Sequence, residues 1–302
     1  MQDIAQAAAA LRRGALVILP TETVYGLAAD AANAEAVARL YQAKGRPSFN
    51  PLIAHVASLE AAMGIAHLDS RARRLAERFW PGPLTLVCPA RSGVCDLARA
   101  GLDTVAVRVP AHPTARAVLA AFGGPLAAPS ANRSGRPSPT TWADAIAETG
   151  TAAALALDGG PCAIGLESTV LSVLEGPPRL LRPGAATRAE IEAVVGRLAE
   201  AEGDARRSPG RLTRHYAPAA PVRLDAAEAR PGEVFIGFGE LGAAELNLSP
   251  SGDLAEAAAR LFTLLRRADA AAPTAIAVAT VPEEGLGEAI NDRLRRAAGA
   301  VG

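Results

Sequence analysis

Lysine is almost absent from this sequence: of 31 basic residues only Lys44 is a lysine, and the rest are arginines. Alanine and arginine are in excess, as in a chain whose surface lysines have drifted to arginine. A lysine that survives such drift marks a position where a compact point charge is not replaced by a broad planar fork. Cysteine is scarce too. Cys88, Cys95 and Cys162 make an odd count with no C-x-x-C pair. That excludes a disulfide framework and argues against a zinc site; the three are read as small core residues in a reducing compartment. No run of about 18 apolar residues occurs, so no helix is expected to span a membrane. The opening "MQDIAQAAAALRRG" has its acid first and its arginines last, the reverse of a secretory signal, so the expected location is the cytoplasm. Basic and acidic residues cancel at 31 each. No global basic field exists to hold a long nucleic acid, and stable nucleic-acid binding is not expected.

What is present is a chain of 302 residues, half of them apolar, long enough for two domains and a core that needs no staples. Apolar runs predict strands at 15–20, 52–57, 84–88, 105–109, 153–157 and 168–174. Helical spacing and caps predict helices at 3–13, 33–43 (capped by Asn33), 70–79, 113–122, 142–148 and 187–200 (capped by Thr187). The mixture indicates α/β or α+β, without a regular doubly wound order. Residues 201–220, "AEGDARRSPGRLTRHYAPAA", are charged and non-periodic and read as a linker. Beyond it, strand "EVFIGF", a helix at about 252–268, strand "TAIAVAT" and a helix at 286–298 form a smaller α/β unit over 221–302.

Polar residues gather where strands end. "LPTETVYGL" crowds Thr21, Glu22, Thr23 and Tyr25 into one loop; an ordinary turn accounts for these residues by themselves. "KGRPSFNP" sets Lys44 and Arg46 around a glycine, with Asn50 before Pro51, an arrangement suited to polyphosphate. It is not a Walker loop, whose lysine follows its glycines. His55 interrupts the apolar "LIAHVA". Arg108 lies inside "VAVRVP", where it requires either a protein carboxylate or a ligand anion. "APSANRSGRPSP" offers Ser130, Asn132, Ser134 and Ser138 in a kinked loop, suited to phosphate or nucleoside contacts and lacking a serine-nucleophile pattern. "GLEST" and "LLRPGA" place Ser168 and Arg182 at strand ends. "GFGELG", from Gly237 to Gly242, matches a dinucleotide fingerprint, but "NLSPSG" follows and opens no helix.

Taken together, "LPTETVYGLAAD", "KGRP…NPLIAHV", "WPGPLTLV", "VAVRVPAHP", "APSANRSG", "STVL" and "LLRPGA" resemble, in order and spacing over about residues 5–200, the threonylcarbamoyl-AMP synthases, the YrdC-like family. "SPG…HYAP" and "AINDRLRRAA" resemble its long form. The resemblance implies a twisted mixed sheet with helices around a concave cationic cavity over residues 1–200, a linker over 201–220, and a small Rossmann-like domain over 221–302. It implies a nucleotidyltransferase that converts L-threonine, bicarbonate and ATP, with Mg²⁺, into threonylcarbamoyl-adenylate and pyrophosphate. The product would feed the machinery that modifies adenosine 37 of tRNA. Carried over by motif, Lys44 and Arg46 would be catalytic. Thr23, His55, Arg108, Ala128 and Ser168 would line the threonine site; Arg46, Asn50, Thr104, Ser130, Ser138, Arg182 and Tyr216 would contact ATP. Lys44 would face the phosphates or the forming carbamate, and no residue is expected to form a dedicated metal cage. Thr23 is expected to touch substrate and Val24 to turn into the core. Ala28, where the family often has glycine, and "RLTR" before His215 depart from its pattern.

Overall fold

The structure is a computed structural model that describes residues 2–199, 215–241 and 244–299. Its first unit is built on a nine-stranded mixed sheet. The strands are β1 (Leu16–Leu19), β2 (Gly26–Asp30), β3 (Ile53–His55), β4 (Leu84–Pro89), β5 (Thr104–Arg108), β6 (Leu126–Ala127), β7 (Ala153–Ala156), β8 (Thr169–Ser172) and β9 (Arg179–Arg182). Their spatial order is β7-β1-β2-β6-β3-β5-β4-β8-β9, with parallel pairs only at β1/β7, β3/β5 and β4/β8. Helices α1 (Gln2–Arg12), α2 (Ala34–Lys44), α3 (Leu59–Ile65), α4 (Ser70–Phe79), α5 (Pro113–Phe122), α6 (Trp142–Thr149) and α7 (Arg188–Val195) cover the sheet.

Alternation along β1 divides the core. Leu16 and Ile18 enter the large cluster with α2 and α4, while Val17 and Leu19 enter the cluster under α1 and α5. The expected helices at 70–79 and 113–122 match α4 and α5 to the residue. Helix α2 starts at its Asn33 cap, whose side chain accepts from Glu35 and Ala36 N–H, and ends at Gly45 in the left-handed region, φ 57°. Two elements escape the hydrophobic pattern. Strand β2 reads "GLAAD", small residues buried on both faces, so it shows neither alternation nor β-propensity. Helix α3 is seven residues long and rests on its Ser58 cap. Helix α7 ends at Val195, five residues short of expectation, because Gly196 leaves the helix at φ 80°.

The second unit is a three-stranded parallel sheet, β10 (Val222–Arg223), β12 (Ala275–Val278) and β11 (Glu233–Ile236), in the order β10-β12-β11. Helices α8 (Leu254–Ala270) and α9 (Leu286–Ala298) pack on it. Its core does not stop at the domain edge: Val24, Leu166 and Tyr216 join Leu261, Phe262 and Leu294 in one apolar cluster. The approach is close at Gly165, where a Cβ would sit 2.5 Å from the Ala259 Cα and φ is +75°. Of the linker, residues 201–214 lie outside the described residues. Residues 215 and 216 are not an exposed tether: His215 is 6% and Tyr216 1% exposed.

Candidate functional site

The register of the sheet brings the polar strand ends to one place. His55 and Arg108 are direct neighbours at the ends of parallel β3 and β5. Strand β8 runs opposite to β5, so Ser168, just before it, lies at that same end, and antiparallel β9 finishes there at Arg182. A cavity of about 50 Å³ opens among them, lined by Thr23, Val24, Arg46, Leu52, Ile53, His55, Arg108, Ala128, Pro129, Ser130, Glu167, Ser168, Arg182, His215 and Tyr216. All five residues expected for threonine are in that wall. So are four of those expected for ATP: Arg46, Ser130, Arg182 and Tyr216.

The other expected residues lie elsewhere. Lys44 is 2% exposed behind the wall, its Nζ donating to the carbonyls of Ser130 and Asn132. Burial, then the Arg46 charge, holds its pKa well below the ordinary lysine value. Asn50 is buried; its carbonyl accepts from Tyr41 OH at 2.9 Å and Arg46 Nε at 3.3 Å, which fixes the loop that carries Arg46. The Ser138 hydroxyl donates to Glu167. Thr104 lies at the opposite end of β5 from Arg108, paired with Pro89, and lines a different groove with Arg71, Arg91 and Arg179. The cavity wall therefore does not include Thr104. Val24 does not simply turn away: it packs into the second unit's core and lines the cavity as well.

Arg108 meets both of its requirements. Its Nη2 is 2.5 Å from Glu22 Oε1, its Nη1 donates to Thr23 Oγ1 at 3.0 Å, and its Nε donates to the Gly82 carbonyl at 3.0 Å, while the guanidinium still borders the cavity. Burial pushes the Glu22 carboxyl up, but Arg108 and backbone N–H groups outweigh it and leave the pKa lowered. Thr21 is the turn residue of the loop, its Oγ1 accepting from the N–H groups of Thr23 and Val24 at 3.2 Å. Beside Arg108, burial and that positive charge lower the His55 pKa to about 3, so its ring is neutral. At the other end, burial lowers Arg46 to about 10. Arg182 donates to Ser168 O at 2.9 Å from Nη2.

Across the cavity, Arg293 of α9 is fully buried. Its Nε donates to Glu167 Oε2 at 2.9 Å and its Cζ lies 5.3 Å from the Tyr216 ring centroid. Tyr216 holds φ 59°, a left-handed conformation uncommon outside glycine. Arg266 of α8 pairs with Glu148 at 2.9 Å, which also holds Arg133 and Arg136 of the serine-rich loop.

Comparison with known proteins agrees over the whole length. A family profile described as telomere recombination matches residues 9–184, and one described as threonylcarbamoyl-AMP synthase, C-terminal domain, matches residues 186–299. The chain is 42% identical to the threonylcarbamoyl-AMP synthase of Pyrococcus abyssi over 97% of this chain and 93% of that one. It is 41% identical to the Bacillus subtilis protein of the same name over 98% and 93%.

The chain belongs to the threonylcarbamoyl-AMP synthase family.

The fold follows the family's two-domain form. The crystal structure of P. abyssi Sua5 complexed with L-threonine superposes with a TM-score of 0.92, at 40% identity, over 98% of this chain and 94% of that one. Against this family architecture, motif reading alone had left four residues without a role: Glu22, Glu167, His215 and Arg293. Glu22 and Glu167 had a local signal, each adjoining an expected contact, Thr23 or Ser168. His215 had only its place beside Tyr216 in "HYAP", and Arg293 only its place in "AINDRLRRAA", which does not point to its partner Glu167, 126 positions away.

Proposed function

We propose that this protein joins L-threonine, bicarbonate and ATP into threonylcarbamoyl-AMP, releasing pyrophosphate. The reading rests on one observation: all five residues matched to threonine contacts and four of the seven matched to ATP contacts line a single cavity. The threonine amine attacks the carbon of bicarbonate; a C–N bond forms, a C–O bond breaks, the amine proton and the hydroxyl leave as water, and a carbamate results. A carbamate oxygen then attacks the α-phosphorus of ATP, and the bond to the pyrophosphate oxygen breaks. Such an adenylyl transfer needs positioning and charge neutralisation more than a nucleophilic side chain. Arg108, Thr23 and Ser168 would orient the amino acid, with neutral His55 beside them. Arg46 and Arg182 would face the triphosphate, and Lys44 would fix the Ser130–Asn132 segment and add its charge.

Mg²⁺ would arrive with the triphosphate. No group of three His, Cys, Asp or Glu side chains able to hold a metal occurs among the described residues, and no step here is assigned to a metal. The cavity, at about 50 Å³, is far smaller than the few hundred Å³ of an ordinary ligand site, so its walls would have to part before ATP enters. We place the catalytic unit at 1–200 and the linker at 201–220. Ile191 of α7 packs in the first unit's core, which supports that division. The adenylate would pass to the enzymes that modify tRNA. Incubation with ATP, bicarbonate and threonine tests the reading: pyrophosphate should appear only with threonine, and release indifferent to threonine contradicts it.

A further inference from the structure

Arg108 is the charged member of the proposed threonine wall, and the structure does not leave its charge open. Glu22, whose side chain is 11% exposed, sets Oε1 against Arg108 Nη2 and accepts with Oε2 from the N–H groups of Ala111 at 3.0 Å and His112 at 3.3 Å. The carboxylate is thus fixed on both oxygens, and the fork it grips cannot rotate. A guanidinium has five N–H donors. Three are used here, on Gly82, Thr23 and Glu22, which leaves one on each terminal nitrogen. A substrate carboxylate can bridge those two end-on. His55, the next titratable group, is uncharged. The amino-acid end of the cavity is therefore close to neutral overall, although it contains an arginine.

We propose that Glu22 is a positioning residue that makes this end selective: it aims Arg108 at a carboxylate carried by an amino acid while cancelling the charge that would draw a bare anion. The point matters because the reaction releases pyrophosphate and consumes bicarbonate beside this pocket. An uncompensated buried guanidinium would capture either. Glu22 keeps them out of the amino-acid subsite and leaves anion binding to the Arg46–Arg182 end.

This rests on the reading of the cavity as a threonine and ATP site, so the experiment first requires threonine-dependent pyrophosphate release from the wild-type protein; its absence defeats that reading and not this inference. With it established, Glu22→Gln and wild type are compared for threonine KM, ATP KM and inhibition by inorganic sulfate. In wild type, sulfate does not compete with threonine. In Glu22→Gln it does, and the preference for threonine over sulfate falls about tenfold or more, the size of one charge-assisted contact, while ATP KM moves less than about twofold, since no contact to the Arg46–Arg182 end changes. A purely structural role would shift both KM values and leave sulfate inert. An unchanged preference in a folded Glu22→Gln overturns the inference. Should that variant not fold, strong competition between sulfate and threonine in the wild-type protein overturns it equally.

Discussion

The two ends of the cavity hold their cations differently. At the proposed amino-acid end Arg108 is paired with a carboxylate, Glu22, and His55 is neutral. At the proposed nucleotide end Arg46 donates to the carbonyls of Asn50 and Pro51, and behind that wall Lys44 is held by two backbone carbonyls. Carbonyl dipoles stabilise a cation without cancelling its charge. The first arrangement suits a species that enters with no net charge, zwitterionic threonine in the proposed reaction, and the second suits an anion of high charge. Lys44 meets two converging carbonyls with a single nitrogen, whereas Arg46 uses two nitrogens for its pair.

The largest effect that would break this comparison is at Lys44. Lys44→Ala is expected to lower turnover by about 100-fold or more, in the range lost with a charge-stabilising donor, measured as pyrophosphate release. It also leaves two buried carbonyls without a donor, so a loss of about 1–3 kcal/mol in chemical unfolding should accompany it. Unchanged turnover would show that the ammonium serves the loop alone. Next, Arg46→Ala should raise ATP KM by about 10- to 100-fold, the range of a lost charged hydrogen bond, and leave threonine KM within about twofold, because its hydrogen bonds go to the Asn50 and Pro51 carbonyls and not to the proposed threonine wall. Equal rises in both constants would merge the two ends into one.

Acid stability sharpens the neutral end. The folded His55 resists protonation until about pH 3, whereas an unfolded histidine accepts a proton near 6.5. Between those values the unfolded state binds more protons. Stability is therefore full above pH 6.5 and falls as the pH drops toward 3, by up to about 1.4 kcal/mol per pH unit for this group. Buried His215, lowered in the same direction by desolvation and the surrounding cations, adds to the slope. His55→Asn should flatten it, read from unfolding midpoints at neutral and mildly acidic pH. A slope unaffected by the substitution would remove His55 from the account.

The sequence disclosed the fold where elements were long or capped and concealed it where they were small. Helices α4 and α5 followed from helical spacing. Strand β2, made of "GLAAD", carried no period because both of its faces are buried. The site divides in the same way. Thr23, Ser168 and Arg182 were visible as polar residues at the ends of apolar runs, and His55 and Arg108 as polar residues inside such runs; the structure gathers all five around one cavity. Thr104 lies on the same strand as Arg108 but at its other end, a separation that a motif does not record. The role of Arg293, a residue of "AINDRLRRAA", could not be read from sequence, because its contact with Glu167 exists only once the second unit has docked.

In the proposed site a compensated end and an uncompensated end share one cavity. Calorimetric titration of the wild-type protein with pyrophosphate and, separately, with threonine, at low and high ionic strength, tests it most directly. Salt screens an open charge and barely touches a cancelled one. Pyrophosphate affinity should fall by about tenfold or more with added salt, while threonine affinity changes by less than about twofold. Threonine binding as salt-sensitive as that of pyrophosphate would contradict the account.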